Sequence, residues 1–292
     1  MTPIDAALLA RHPLPDHAGD ADKDARGAIL AIGGSVEVPG AILLAAVAAL
    51  RAGAGKLQIA TCRSVAPMLG LMVPEALVIG LDETPAGGID ASAIATLGDR
   101  LTKCDAVVFG PGMDDASAVA TLTASILAHD AKPPIVLDAA ALSGLDADAV
   151  SGRGKAVLTP HAGEMAHLLD IDRDAVLARP KRIAVDTAAR FGAVVALKGG
   201  STVVATPDGD AFRYKGGGIG LATSGSGDTL AGIIAGLLAR GANELTATIW
   251  GVYLHGEAGR RLAASRGRIG FLARELLDEV PLAMHELCGG KH

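Results

Sequence analysis

Short apolar runs alternate with longer stretches rich in alanine and leucine along most of the chain. The short runs are apolar at consecutive positions, which is typical of strands that are buried on both faces of a parallel sheet. The longer stretches have the length and composition of helices. Strands are predicted at 27–33, 56–61, 76–80, 106–110, 135–138, 156–159 and 193–198, and helices at 39–52, 89–102, 116–129 and 164–169. This alternation predicts an α/β fold of three layers (α/β/α) around a central, mostly parallel sheet.

The pattern changes after Lys198. Two short strand-like segments, 202–206 and 210–214, flank Pro207-Asp208-Gly209, which is a hairpin signal. A glycine-rich loop at 216–227 follows, and helices are predicted at 228–240 and 245–264. No linker, repeat or low-complexity tract interrupts the chain. We therefore expect one domain over residues 1–292, in which residues 1–26 form an N-terminal extension or helix.

Composition and charge narrow the possible functions. Half of the 292 residues are hydrophobic but only 2% are aromatic, and the formal net charge is −6. A nucleic-acid-binding protein is not expected, because such proteins usually present a basic face and stacking aromatics. The longest apolar run, 41–50, is about half a membrane span. The three cysteines are far apart, so neither a disulfide framework nor a structural zinc site is expected. These features favour a cytoplasmic protein without a membrane segment.

The segment 220–232, GLATSGSGDTLAG, is the most informative for chemistry. Gly225 and Gly227 allow the chain to turn tightly and bring backbone N–H groups close to a ligand. The helix that follows offers unpaired N–H groups and a positive dipole end, which together attract a phosphate. A carboxylate repels phosphate, so Asp228 makes chemical sense there if it accepts a proton from an attacking hydroxyl. The alternative is that Asp228 only caps the helix.

Glycine-rich and polar segments also follow three of the predicted strands. They are Gly110-Pro111-Gly112, the stretch 159–164 (TPHAGE) and the stretch 198–202 (KGGST). In open α/β sheets, ligands bind beyond the carboxyl ends of the strands. The three segments are therefore expected to meet the loop before Asp228 in one cleft.

With these residues in place, the chain resembles the ADP/ATP-dependent NAD(P)H-hydrate dehydratases, a branch of the ribokinase-like superfamily. The resemblance extends from about Gly27 to Gly259. Its more specific motifs are RAGAG at 51–55 and TPHAGEM at 159–165, whereas the Gly-x-Gly-Asp ending at Asp228 is shared with many ribokinase-like kinases. Relatives of this kind dehydrate the damaged, hydrated form of NADH or NADPH at the expense of ADP or ATP.

The resemblance implies a ribokinase-like fold and a set of site residues. Asp228 would be the catalytic carboxylate, and the substrate NADHX or NADPHX would contact it together with Ala41, Gly112 and His161. The nucleotide, ADP or ATP with Mg²⁺, would be held by Lys198, Gly199, Gly200, Ser201, Thr202 and Gly227. The ligands of the metal stay unassigned. A homotetramer and a separate epimerase as pathway partner are also implied by the resemblance.

The chemistry has an independent rationale. Hydroxide is a poor leaving group and phosphate is a good one, so phosphorylating the ring hydroxyl allows the ring nitrogen's lone pair to expel it. In this reaction Asp228 would accept the hydroxyl proton, while the helix N-terminus and Mg²⁺ would offset charge on the phosphoryl oxygens.

Five side chains near the expected cleft have a structural alternative. His161 is expected to contact a ligand, and Lys198 to contact phosphate or ribose, although either could serve only the local structure. His255 lies on a predicted buried helix, which favours a core role. Asp138 could hold water around Mg²⁺ or cap the next helix, and both alternatives stay open. Glu164 begins a helix, where its charge is favourable in any case.

Two other functions are compatible with the same motifs. One is a small-molecule hydroxymethyl kinase of the ribokinase-like superfamily, which would release a stable phosphorylated product. The other is a nucleotide-sensing protein without turnover, for which a carboxylate beside a phosphate has no use. The glycine-rich loop departs from the family pattern at Gly218, Ile219 and Ser224, where many relatives have Asn, Pro and Gly. We expect this loop to be either more mobile or held by another contact.

Overall fold

A ten-stranded sheet forms the centre of the protein. The structure is a computed structural model that describes residues 1–16 and 23–288. The strands are β1 (Thr2–Pro3), β2 (Ala28–Ile32), β3 (Lys56–Cys62), β4 (Ala76–Leu81), β5 (Ala106–Phe109), β6 (Ile135–Leu137), β7 (Ala156–Leu158), β8 (Val194–Leu197), β9 (Thr202–Ala205) and β10 (Ala211–Tyr214). Their order is β1-β10-β9-β8-β7-β6-β5-β2-β3-β4. All neighbours are parallel except that β9 runs antiparallel to β8 and β10.

Helices cover both faces of this sheet and give the three-layer α/β/α fold that the apolar pattern predicted. The helices are α1 (Ala6–Arg11), α2 (Pro39–Arg51), α3 (Ala66–Met72), α4 (Ile94–Leu101), α5 (Ala116–Ala128), α6 (Ala147–Arg153), α7 (Ala162–Leu169), α8 (Arg173–Ala178), α9 (Pro180–Phe191), α10 (Ser226–Ala239), α11 (Glu244–Ser265) and α12 (Ala273–Leu287). Short 3₁₀ turns lie at Ala91–Ala93, Ala139–Leu142 and Ile219–Leu221.

The central strands are buried along their whole length. Every residue of β2, β5, β6, β7 and β8 is buried. Helices on both faces explain why these strands are continuously apolar rather than alternating. The strand predictions are confirmed to within two residues at each end. The helix predicted at 89–102 is divided, because Asp90 accepts from the N–H of Ser92 and starts a 3₁₀ turn before α4.

Helices α2 and α10 touch backbone to backbone beside the sheet. A Cβ atom on Gly232 would lie 2.0 Å from the carbonyl oxygen of Ala45, and one on Gly236 would lie 2.4 Å from that of Ala49. Both contacts advance by four residues, so the two helices run side by side in the same direction for at least one turn. Only glycine permits this approach, which fixes where α10 begins relative to α2.

The N-terminal segment adds the outermost strand and one helix. Strand β1 pairs in parallel with β10, and the indole Nε1 of Trp250 donates a 2.7 Å hydrogen bond to the carbonyl oxygen of His12. Residues 17–22, which belong to the expected N-terminal extension, lie outside the described residues, as do residues 289–292. Over the described ranges, the chain contains no helix with the length and apolar character needed to span a membrane.

Candidate active site

A pocket of about 710 Å³ opens where the chain leaves β7 and β8. Its wall includes His161, Lys198, Gly199, Gly200, Thr202 and Gly227 among the residues that the sequence assigned to ligands. Ser201 does not line it. His161 and Lys198 are neighbours because the backbone N–H of Lys198 donates to the carbonyl oxygen of Pro160 at 2.8 Å, which extends the parallel pairing of β7 with β8.

Lys198 lies at the centre of a buried charge network. Its Nζ is 2.7 Å from Oδ1 of Asp138 and 3.7 Å from Oε2 of Glu164. Burial by itself would lower the pKa of Lys198, but the two carboxylates raise it overall. The side chain therefore stays an ammonium ion within the pocket wall.

Asp138 is almost fully buried, with 1% of its surface exposed. It precedes the 3₁₀ turn Ala139–Leu142, but its side chain caps none of that turn's N–H groups, so the capping alternative is wrong. Its Oδ1 instead accepts from Lys198 and, at 2.8 Å, from Oγ1 of Thr159. Among the described residues, no group of three or more His, Cys, Asp or Glu side chains is placed to hold a metal ion.

Asp228 lies in the first turn of α10. The helix begins after Gly225, whose φ of +85° is in the left-handed region, and no side chain caps it. Asp228 is thus not the helix cap that the structural alternative required. Burial raises the pKa of Asp228 from 3.8 to about 6, the carboxylates of Asp138 and Glu164 add to this, and Lys198 opposes it. A carboxylate with this pKa can accept a proton near neutral pH.

Ala41 and Gly112, like Asp228, are predicted site residues that do not line this pocket. A Cβ atom on Gly112, where φ is +73°, would lie 2.9 Å from the Cβ of Ala41. The side-by-side register of α2 and α10 pairs Ala45 with Gly232. One turn earlier, the same register brings Ala41 to the level of Asp228. The small residues therefore lie close to the catalytic candidate.

His161 has a structural role and also reaches the pocket. Its Nδ1 accepts 3.0 Å hydrogen bonds from the N–H groups of Gly163 and Glu164, while the Glu164 carboxylate accepts from the N–H of His161. This capping box starts α7. Because Nδ1 is an acceptor, the neutral ring carries its proton on Nε2. This nitrogen lies 3.5 Å from Oε1 of Glu164 and is the ring atom left to donate to a ligand.

The sequence did not single out Ser226, and it favoured a core role for His255. The structure places both in the pocket wall, where the Ser226 Oγ and the His255 Nε2 are 2.9 Å apart. Burial lowers the pKa of His255 to about 4, so the ring is neutral at physiological pH. Ser226 directly precedes Gly227-Asp228 in sequence, and that adjacency was the available signal.

The glycine-rich loop is held by an apolar contact, which was one of the two expected outcomes. Leu221 packs against a small core cluster that contains Phe271 and Leu276. Gly220 lies against the Phe271 ring, where a Cβ atom would be 2.3 Å from Cε1. Ile219 stays 60% exposed at the pocket. The loop therefore places the apolar side chain of Ile219 in the pocket wall.

Comparison with known proteins gives a consistent assignment. Residues 29–282 match the family model described as NAD(P)H-hydrate dehydratase. The chain is 50% identical to the ADP-dependent (S)-NAD(P)H-hydrate dehydratase of Xanthomonas campestris, over 98% of this chain and 97% of that protein. It is 40% identical to a bifunctional NAD(P)H-hydrate repair enzyme of Moorella thermoacetica over 96% of this chain, which spans 53% of that longer protein.

Solved structures agree with this result. The ADP/ATP-dependent NAD(P)H-hydrate dehydratase of Bacillus subtilis, co-crystallised with ATP and Mg²⁺, superposes with a TM-score of 0.82 at 28% identity over 98% of each chain. A hydroxyethylthiazole kinase from Pyrococcus horikoshii has a TM-score of 0.58 at 18% identity, covering 95% of this chain and 92% of the kinase. The latter likeness shows a shared fold alone.

Proposed function

Because this chain belongs to the NAD(P)H-hydrate dehydratase family, we propose that it catalyses the ADP-dependent dehydration of the (S)-hydrate of NADH and NADPH. The products are the restored dinucleotide, AMP and phosphate. One observation carries the mechanism: Asp228 is a partly buried carboxylate in the first turn of α10, beside the Lys198 ammonium, with a pKa of about 6. Asp228 would thus act as a base at the N-terminus of α10, where the helix dipole and Lys198 attract a phosphate.

The reaction balances in two stages. The hydroxyl oxygen of the hydrated ring attacks the β-phosphorus of ADP, the bond to the AMP oxygen breaks, and the hydroxyl proton passes to Asp228. The lone pair of the ring nitrogen then expels phosphate as the carbon–oxygen bond breaks. Loss of a proton from the adjacent ring carbon restores the reduced nicotinamide.

The other pocket residues bind and orient the reactants. The Lys198 ammonium and the free N–H groups at the start of α10 attract the nucleotide phosphates. The nucleotide is held by the pocket-lining residues of this stretch, Lys198, Gly199, Gly200 and Thr202, together with Gly227. His161 donates from Nε2 to the hydrate, and the small residues Ala41 and Gly112 leave room for its ring. Mg²⁺ would be held mainly by the phosphate oxygens of the nucleotide, which supply much of its usual ligand set, and would offset charge on the phosphoryl group.

The direct test is recovery of reduced-nicotinamide absorbance when purified protein meets hydrated NADH, Mg²⁺ and either ADP or ATP. We expect recovery with one phosphate released per dinucleotide restored, and with ADP as the preferred donor. A phosphorylated alcohol in place of free phosphate would indicate a kinase instead.

Substituting Asp228→Asn tests the assignment of the base. We expect kcat to fall by about 10²–10⁴-fold, because general-base catalysis has that magnitude, while ADP binding measured by calorimetry stays within a few-fold. Asp208→Asn, in the exposed hairpin turn, is the matched control and should retain wild-type kcat. Retention of more than about a tenth of kcat by Asp228→Asn would contradict the role of this residue.

We also propose that the protein is a cytoplasmic homotetramer that acts with a separate epimerase. Met68, Leu71, Met72 and Leu77 on α3 and the edge strand β4 are each more than half exposed, and such a patch favours association. Light scattering should give a mass of four chains of 29.2 kDa each. A monomer at micromolar concentration would contradict the proposal.

A further inference from the structure

We propose that Asp138 is a positioning residue for this reaction, whose carboxylate holds the Lys198 ammonium against the start of α10 and keeps it from pairing directly with Asp228. The inference rests on the proposed function and extends it to a residue that cannot touch the substrate. Asp138 is only 1% exposed and does not line the pocket. Any effect on catalysis must therefore act through its neighbours.

Asp138 is connected to the pocket through its contact with Lys198. Oδ1 accepts from Nζ of Lys198 at 2.7 Å and from Oγ1 of Thr159 at 2.8 Å. Thr159 is itself fully buried, so it fixes the carboxylate from the protein interior. Lys198 extends from this buried anchor to the pocket wall.

The position of the Lys198 ammonium at α10 is closely defined. A Cβ atom on Gly227 would lie 3.1 Å from Nζ of Lys198, so the ammonium packs directly against the residue before Asp228. Two aspartates thus lie within the field of one cation. The short contact to Asp138 settles which of them pairs with it, and the Asp228 carboxylate is left free to accept a proton.

The charges around Asp228 support this arrangement. Burial raises the pKa of Asp228 most. Asp138, from the end of β6, and Glu164, from α7, raise it further, whereas Lys198 lowers it. His255, which faces Lys198 from α11, is neutral because burial lowers its pKa to about 4. Removing the charge of Asp138 takes away one anion and releases Lys198 toward Asp228. Both changes make Asp228 a weaker base.

The test is the pH dependence of kcat in wild type and in Asp138→Asn, at saturating ADP and hydrate. We expect the acid-side midpoint to fall by roughly one pH unit and kcat at pH 8 to fall by about tenfold. Affinity for ADP should stay within a few-fold, because the variant keeps the Lys198 ammonium in the pocket.

Three further variants separate positioning from folding. Thr159→Val removes the other hydrogen bond to Asp138 without changing charge, and it should shift the acid-side midpoint by less than Asp138→Asn. Asp138→Asn/Lys198→Gln removes both charges of the pair and should return the midpoint to the wild-type value or above. Glu164→Gln should shift the midpoint downward by less than Asp138→Asn, since Glu164 is farther from Nζ. It provides the test if Asp138→Asn fails to fold.

The outcomes are distinguishable. An unmoved midpoint in both Asp138→Asn and Glu164→Gln, with active wild type, overturns the inference. So does a changed Mg²⁺ requirement with an unmoved midpoint, which would assign Asp138 to the metal. A wild-type protein that restores no reduced nicotinamide overturns the proposed function, and the inference with it.

Discussion

Asp228 combines two properties that oppose each other. Its place in the first turn of α10 favours the ionised form, because the helix N-terminus stabilises negative charge. Burial and the carboxylate of Asp138 favour the neutral form and win, since the pKa is raised to about 6. The result is a group that is ionised at pH 7 yet still basic enough to accept a proton from an alcohol as it reacts.

This balance predicts the pH dependence of the reaction. Only the ionised carboxylate can accept a proton, so kcat should fall as the pH decreases through about 6, where Asp228 becomes protonated. Titration of His255 should not change kcat near neutral pH, because the pKa of its ring is about 4. A pH series of initial rates at saturating substrates measures this directly. A wild-type rate that stays level down to pH 4.5 would contradict it.

The same pKa predicts that the Asp228 carboxylate lowers the stability of the fold. A carboxyl group whose folded pKa lies above its unfolded value destabilises the fold at pH values above about 6, and this cost disappears as the pH falls below 3.8. Asp228→Asn should therefore raise the free energy of unfolding at pH 8 by roughly 1–3 kcal/mol. Thermal melting measures the change, which should vanish near pH 3.5. Equal or lower stability at pH 8 would contradict the stated cost of burial.

At the scale of elements, the contact between α2 and α10 sets the geometry of the site. Because Gly232 and Gly236 have no side chain, the backbone of α10 contacts the backbone carbonyl groups of Ala45 and Ala49 in α2. The first turn of α10, with Asp228, then stands beside the first turn of α2. The two glycines that allow the close helix packing therefore also set the position of Asp228.

Gly232→Ala tests this contact. The new Cβ would lie 2.0 Å from the Ala45 oxygen, so α10 has to move. We expect the free energy of unfolding to fall by about 1–3 kcal/mol, as in other overpacked cores, and kcat to fall with it. Denaturant titration and initial rates measure the two effects.

Gly152→Ala is the matched control for that substitution. Gly152 is exposed in α6, and a Cβ atom there meets nothing within 4 Å. Alanine should stabilise this helix by about 0.5–1 kcal/mol through its higher helix propensity. If both variants lost equal stability, the α2–α10 contact would not be the cause.

Elements differed in how far sequence alone could predict them. The buried strands were predicted because short, continuous apolar runs are typical of strands covered on both faces of a sheet. Several helices were not predicted, namely α3, α6, α8, α9 and α12. In α9, charged residues on the outer side break up the apolar pattern of the sequence. Helix α12 contains Pro281, and proline is normally unfavourable inside a helix.

At the scale of the whole molecule, the pocket joins segments far apart in the chain. Its wall comes from the ends of β7, β8 and β10, the glycine-rich loop and helices α10 and α11. We expect a nucleotide bound in this pocket to contact several of these segments at once. Binding should then stabilise the entire fold, because a ligand that binds only the folded state adds to its stability.

ADP alone should therefore raise the melting temperature. At a hundred times its Kd the gain is about 2.7 kcal/mol, which corresponds to a shift of several degrees. Lys198→Gln should show a smaller shift at the same ADP concentration, because it loses the ammonium that faces the phosphates. Lys181→Gln, an exposed residue of α9, should behave as wild type. A shift of equal size in all three proteins would place the nucleotide elsewhere.

The sequence by itself determined the individual strands, the hairpin and the glycine-rich turn before α10, because each depends on residues close together in the chain. It also identified the family, through short motifs that can each be read locally. Local patterns also placed Asp228 and Lys198 at the ends of their elements. Only the tertiary structure decided that Lys198 pairs with Asp138, which is 60 residues away, and that His255 reaches Ser226. The alternatives for Asp138 and His255 could not be separated from sequence, since the partner of a buried polar group is set by how distant strands and helices pack.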